Sequence, residues 1–250
     1  MPMAWANGGE GRRRSRGTLC HGMTRTQEPR DVPRVRDLPA PRRAQGFIGP
    51  LFRKVFAWPY RLALAGLYRA GFEPWQLTML SLIANIVSGW LLIDGRFFVS
   101  GVLLIVAGLF DIFDGGVARL RGEDGPAGAF LDSVLDRVSD IILFGCLFWA
   151  LAGQAHRAAA ALALVSLVAA LLVSYIRAEA ESVGLALTEG MMQRLERYVA
   201  LMIGLIVPGA LLPVLVLLSV LGAVTVLQRV ASAWRQLPPT TARAVPGQKE

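Results

Sequence analysis

Cysteine and histidine are almost absent from this chain. Among 250 residues the only thiols are Cys20 and Cys146, and the only imidazoles are His21 and His156. Cys20 falls in a polar stretch and Cys146 in an apolar one, so a disulfide framework is not expected. Both histidines lie away from the main group of acids, which argues against a histidine-based metal site or a Ser-His-Asp triad. Charge is scarce as well: 18% of residues are charged and 54% are hydrophobic, with a mean hydropathy of +0.48. That balance is too apolar for an ordinary soluble domain and fits an all-α polytopic membrane protein. The net charge of +8 then reads as cytoplasmic flanking charge, not as a nucleic-acid footprint. Arg12-Arg13-Arg14 is followed by no apolar run, which speaks against an export signal.

What the chain does have is a series of long apolar runs. Residues 1–45 are rich in Arg, Pro and Gly, without apolar periodicity, and read as a disordered basic tail. Residues 46–72 alternate Leu51, Phe52, Val55, Phe56 and Trp58 with Arg53, Lys54 and Arg61. This pattern predicts an amphipathic helix lying in the membrane interface, broken near Pro59. A transmembrane domain over 73–232 follows, with six spans expected at about 77–93, 98–120, 127–152, 158–175, 198–212 and 213–230. Pro208-Gly209 and Pro213 mark the turn between the last two. Residues 233–250 read as a second disordered tail. Six crossings put both ends of the chain on one side. Arg96 and Arg157 are the only basic residues in the loops on the far side, so the near side is cytoplasmic.

One stretch carries chemistry. It runs from Asp111 to Asp136, and its apolar surroundings hold Asp111, Asp114, Asp132 and Asp136. A charged group near a bilayer centre costs about 2.5–3.5 kcal/mol on insertion scales, so these acids need a partner. Asp111 and Asp114 are three apart and share one helical face; Asp132 and Asp136 are four apart and share another, with Asp140 one turn further on. Gly122 and Gly125-Pro126 turn the chain between the two helices. A helical hairpin can thus aim two pairs of carboxylates at one point. Oxygen donors without His or Cys suit a hard divalent cation, Mg²⁺ or Mn²⁺. Ion pairing with Arg119, Arg121 and Arg137 is the simpler alternative.

The spacing Asp-x2-Asp-Gly-x2-Ala-Arg-x8-Gly-x3-Asp-x3-Asp resembles the signature of CDP-alcohol phosphotransferases. It is filled here by Asp111, Asp114, Gly115, Ala118, Arg119, Gly128, Asp132 and Asp136. The resemblance covers about residues 71–230. It implies two metal ions held by Asp111, Asp114 and Asp132, with Asp136 as a further ligand or the general base. It also implies a CDP group against Gly115, Ala118, Arg119 and Gly128, a homodimer, and a membrane-bound CDP-diacylglycerol as phosphatidyl donor. Pro74-Trp75-Gln76-Leu77-Thr78 resembles the family's opening at the first span, which implies that Thr78 touches the cytidine. Trp75 stands where the family commonly has Asn.

The acceptor is a soluble alcohol. Ser174-Tyr175-Ile176-Arg177, Glu181, Gly184 and Gly190-x3-Arg194-x-Glu196-Arg197 resemble members that use an inositol phosphate. On that resemblance Arg177, Arg194 and Arg197 bind the acceptor phosphate at the cytoplasmic mouth. Glu179 stands where those members usually have Arg, which counts against a phosphorylated acceptor of that kind; a glycerol phosphate or another polyol is the alternative acceptor. A cation or proton transporter is the alternative from another class, since acids inside spans also serve as relays. The clustering of the acids in one hairpin and the lack of an inverted repeat argue against it.

Overall fold

The computed structural model describes residues 49–185 and 193–237, with side chains from residue 57. Of the two tails read as disordered, 1–45 and 233–250, the first and residues 238–250 of the second lie outside the described residues. All described residues belong to the unit Pro33–Glu250. Among them every regular element is a helix: α1 (Gly49–Arg69), α2 (Pro74–Ile93), α3 (Phe97–Arg121), α4 (Pro126–Gly153), α5 (Arg157–Ser182), α6 (Arg194–Ile206) and α7 (Leu211–Gln236).

The helix ends follow the expected local chemistry. Gly122 closes α3 in the left-handed region at φ 69°, which a residue with a Cβ adopts only at a cost. Gly125 caps α4 and Pro126 occupies its first turn, where a missing N–H costs nothing. The two acid-bearing helices are thereby joined by four residues, 122–125.

Six helices close into a ring. α2 packs on α3, α3 on α6, α6 on α7, α7 on α5, α5 on α4, and α4 back on α2. The centre is apolar, with Leu92, Leu104, Phe144, Leu147, Leu201 and Leu215 among the buried side chains. Small residues let the helices approach: a Cβ on Gly222 of α7 would stand 2.9 Å from the Ala169 Cβ of α5. α1 lies outside this ring against α3, where Tyr60 and Leu64 bury themselves beside Val117.

Several sequence expectations need adjusting. α1 is not broken at Pro59 but runs through it. Packing of Tyr60 and Leu64 on α3 holds the helix despite the lost backbone bond. Pro213 lies within the first turn of α7 rather than in the turn before it, and α7 continues to Gln236, into the stretch read as a tail. α6 begins at Arg194 and ends at Ile206, so the fifth apolar run divides four residues earlier at its start than its hydropathy suggests. Among the described residues four helices are long and apolar enough to cross a membrane: α2, α3, α5 and α7. α4 has 28 residues but carries Asp132, Asp136, Arg137 and Asp140. α6 has 13 described residues, about 20 Å at 1.5 Å per residue and short of a hydrocarbon core about 30 Å thick.

Candidate active site

The acids meet where α3 and α4 leave their shared turn. Carboxylate oxygens of Asp111, Asp114 and Asp132 lie within 4.8 Å of one another. Two helices contribute, which is what the three- and four-residue spacings require. Asp114 is buried and its Oδ2 accepts a 2.7 Å hydrogen bond from the Thr78 hydroxyl of α2. Its other oxygen accepts from the Gly115 amide. Three carboxylates so close together repel one another, and their donor set is hard oxygen alone. That arrangement fits a divalent cation of the Mg²⁺ or Mn²⁺ kind.

Asp136 is not part of this three-carboxylate group. Arg194 of α6 reaches between the helices: its Nη1 lies 2.8 Å from Asp111 Oδ2 and its Nη2 2.8 Å from Asp136 Oδ1. A second bond runs from Nη2 to Asp111 Oδ1 at 3.3 Å. One turn deeper, Arg197 Nη2 lies 2.5 Å from Asp140 Oδ2, with both side chains less than a tenth exposed.

Arg119, Arg121 and Arg137 each have a bonding partner away from the acids. Arg119 Nη2 donates to the Tyr60 hydroxyl at 3.4 Å. Arg121 donates to the carbonyls of Gly71 and Phe72, at 3.2 and 2.9 Å. Arg137 donates to the Ser133 carbonyl of its own helix. Arg194 reaches Asp111 from 83 residues away in sequence.

Beside Asp114 the surface is open. A Cβ built on Gly115 or on Gly128 would meet nothing within 4 Å. Gly116, by contrast, is filled by α1, where a Cβ would crowd Leu64 Cδ1 at 2.9 Å. Tyr60 stacks on Phe113 with ring centroids 5.4 Å apart. Burial pushes the Tyr60 hydroxyl above its usual range, with the Arg119 guanidinium opposing, so the phenol stays protonated and accepts from Arg119.

A family model described as CDP-alcohol phosphatidyltransferase matches residues 73–234. The chain belongs to this family. It is 33% identical over 189 residues to the phosphatidylinositol phosphate synthase of Mycobacteroides abscessus, spanning 72% of this chain and 86% of that protein. It is 36% identical over 150 residues to the archaetidylinositol phosphate synthase of Methanothermobacter thermautotrophicus, covering 58% and 74%. The crystal structure of Mycobacterium tuberculosis phosphatidylinositol phosphate synthase in complex with manganese and citrate superposes with a TM-score of 0.66 at 32% identity. That match covers 75% of this chain and 95% of that one. The same enzyme with CDP-DAG bound gives a TM-score of 0.64 at 32% identity, covering 69% and 92%.

For this CDP-alcohol phosphatidyltransferase family member, the sequence-derived site residues divide into three groups. Asp111, Asp114 and Asp132 come together, and Asp136 joins them through Arg194. Thr78, expected on the nucleotide, bonds to Asp114 and to the Pro74 carbonyl at 3.1 Å. The three arginines expected to act as one set have different partners. Arg194 reaches the acids, Arg197 is buried on Asp140, and Arg177 is exposed and paired with Glu181 at 2.8 Å. Helical spacing puts Arg194 and Arg197 on one face, and α4 meets them with two carboxylates one turn apart, Asp136 and Asp140. Sequence reasoning missed Tyr60 and Tyr198. The Tyr198 hydroxyl lies 3.2 Å from both Asn85 Oδ1 and the Leu104 carbonyl oxygen, tying α6 to α2 and α3. Asn85 inside an apolar run was the available signal.

Proposed function

We propose that this chain transfers the phosphatidyl group of CDP-diacylglycerol to a hydroxyl of an inositol phosphate and releases CMP. The observation that carries this reading is the meeting of Asp111, Asp114 and Asp132 within 4.8 Å, with Arg194 bridging to Asp136. Family membership favours transfer chemistry over the ion-transporting alternative, and both named relatives make inositol phosphate lipids.

Asp111, Asp114 and Asp132 would hold two divalent cations, Mg²⁺ or Mn²⁺. Such ions, when bound, draw charge from a diphosphate and stabilise the transferring phosphoryl group. Thr78 fixes the Asp114 carboxylate by its 2.7 Å bond, so that one oxygen keeps its direction. Gly115 and Gly128 leave space in which the CDP group lies against α3 and α4, with Ala118 and Arg119 further along the same helix.

Asp136 takes the proton of the acceptor hydroxyl. The resulting oxygen attacks the β-phosphorus; a new P–O bond forms and the bond to the CMP oxygen breaks. CMP leaves as the monophosphate anion, and the proton stays on Asp136 until it passes to water. Arg194 orients Asp136 from one side. Its guanidinium has five N–H donors, and the bonds to the two carboxylates use three. The remainder suit the phosphate of the acceptor, with Arg177 adding positive charge at the same end of the bundle.

In this reading the six-helix ring sits in the cytoplasmic membrane, α1 lies in its interface, and the site opens to the cytoplasm. The water-soluble acceptor and CMP then exchange with the cytoplasm while the diacyl tail stays in lipid. The protein acts as a homodimer. Purified protein with CDP-diacylglycerol, Mg²⁺ and a panel of acceptors tests the proposal. CMP release with an inositol phosphate, exceeding that with glycerol phosphate or a neutral polyol, is expected. CMP release dependent only on a neutral polyol would replace the acceptor.

A further inference from the structure

Asp140 lies outside the eight-residue motif, yet it makes a deeply buried ion pair with Arg197. Its side chain is 8% exposed and that of Arg197 6%. The pairs that Arg194 makes are much more open, with side-chain exposures of 20–32%. A buried pair in an apolar bundle is a poor source of stability, because desolvation offsets most of the attraction. Its value lies in geometry, since neither charge can be released into the interior without its partner.

The geometry is a two-rung ladder. α4 presents Asp136 and Asp140 one turn apart, and α6 presents Arg194 and Arg197 three residues apart on one face. The rungs are Asp136–Arg194 at 2.8 Å and Asp140–Arg197 at 2.5 Å. α6 packs directly against α3 and α7, and these two long side chains bind it to α4. Tyr198, next in sequence and about 100° round the helix, holds a second flank of α6 through Asn85 and Leu104. Rotation of α6 about its axis is therefore set by Arg197 on one flank and Tyr198 on the other. That rotation decides where Arg194 points.

We infer that Asp140 is a positioning residue for the transfer reaction: it anchors Arg197 in the interior and so sets the rotation of α6 that brings Arg194 between Asp111 and Asp136. Asp140 touches neither substrate nor metal; it acts through α6. The inference rests on the proposed role of Arg194 at the acceptor phosphate.

The test is steady-state kinetics of CMP release by the full chain in nanodiscs, with CDP-diacylglycerol, Mg²⁺ and a myo-inositol monophosphate as the probe. Asp140→Asn removes the charge and keeps the shape. It is expected to raise the acceptor KM about ten-fold while CDP-diacylglycerol KM stays within about two-fold of wild type. Asp140→Glu restores the carboxylate and is expected to recover most of the loss. A residue of purely structural worth would lower the melting temperature and the active fraction without moving the acceptor KM. If Asp140→Asn does not fold, Asp140→Leu with Arg197→Leu removes both charges together and leaves none unpaired; a raised acceptor KM is again expected. Wild-type acceptor KM in whichever of these variants folds, or equal impairment by Asn and Glu, overturns the inference. Arg194→Ala in the same assay separates the two claims. If it leaves the acceptor KM unchanged, the acceptor reading itself fails; if it raises KM while Asp140→Asn does not, only the role of Asp140 is lost.

Discussion

The Thr78 hydroxyl donates to Asp114 across the α2–α3 interface at 2.7 Å, linking the start of one helix to the centre of the acid cluster. Asp114 is buried, so this bond fixes a carboxylate that water reaches poorly. Thr78→Val removes the hydroxyl and keeps the branched shape. Loss of a partner that orients a metal ligand costs ten- to hundred-fold in metal affinity. Mn²⁺ binding followed by electron paramagnetic resonance should weaken by about ten-fold in this variant, with the fold retained. Unchanged Mn²⁺ affinity would show that Thr78 serves the nucleotide alone.

Removing divalent cations should stop transfer. Three carboxylates within 4.8 Å, without His or Cys donors, have no other means of gripping a diphosphate. Exhaustive EDTA treatment should abolish CMP release, and added Mg²⁺ or Mn²⁺ should restore it. Full activity after chelation would remove the metal from the proposal.

Asp136→Asn should leave CDP-diacylglycerol binding nearly intact and reduce turnover by two to four orders of magnitude, the usual contribution of a positioned base. Asp111→Asn and Asp114→Asn should instead weaken metal-dependent binding, because these residues lie in the three-carboxylate cluster and Asp136 does not. Nucleotide binding and single-turnover CMP release separate the two effects. Near-normal turnover in Asp136→Asn would mean that another group takes the proton.

Glu179→Arg should improve a phosphorylated acceptor. Glu179 is exposed near the end of α5, two residues from both Arg177 and Glu181, which pair with each other at 2.8 Å. An arginine there adds a donor for phosphate and removes a repelling carboxylate. The acceptor KM for an inositol phosphate should fall about three-fold or more. A variant that instead loses activity with the phosphorylated acceptor would mark Glu179 as a ligand for a sugar hydroxyl.

Gly222→Val tests the packing independently of the chemistry. The Ala169 Cβ stands 2.9 Å from where the new Cβ would lie, and neither atom can swing away because both are fixed to helix backbones. Overpacking of this kind costs about 1–3 kcal/mol. A thermal melt in detergent should show a lower midpoint. The acids sit on α3 and α4, away from the α5–α7 seam, so CMP release per folded molecule should hold.

Much of this protein was legible in one dimension. Apolar runs located the ring helices, because a backbone in a low-dielectric medium has to satisfy its own hydrogen bonds. Gly122, Gly125 and Pro126 announced the turn between α3 and α4, since local backbone chemistry alone decides such a turn. Three- and four-residue spacings put the acids on single faces, and their oxygen-only chemistry suits a hard divalent cation. The sequence by itself could not set how one helix rotates against another. Spacing defines a face, not what the face meets. So the bonds that join Thr78 to Asp114, Arg194 to Asp111, and Arg197 to Asp140, across 36, 83 and 57 residues, belong to the tertiary structure. They depend on where glycines and alanines let backbones close up and on which carboxylate then lies within reach of a long side chain. The same cause keeps α1 intact at Pro59: a local break signal yields to Tyr60 and Leu64, whose burial against α3 only the assembled bundle provides.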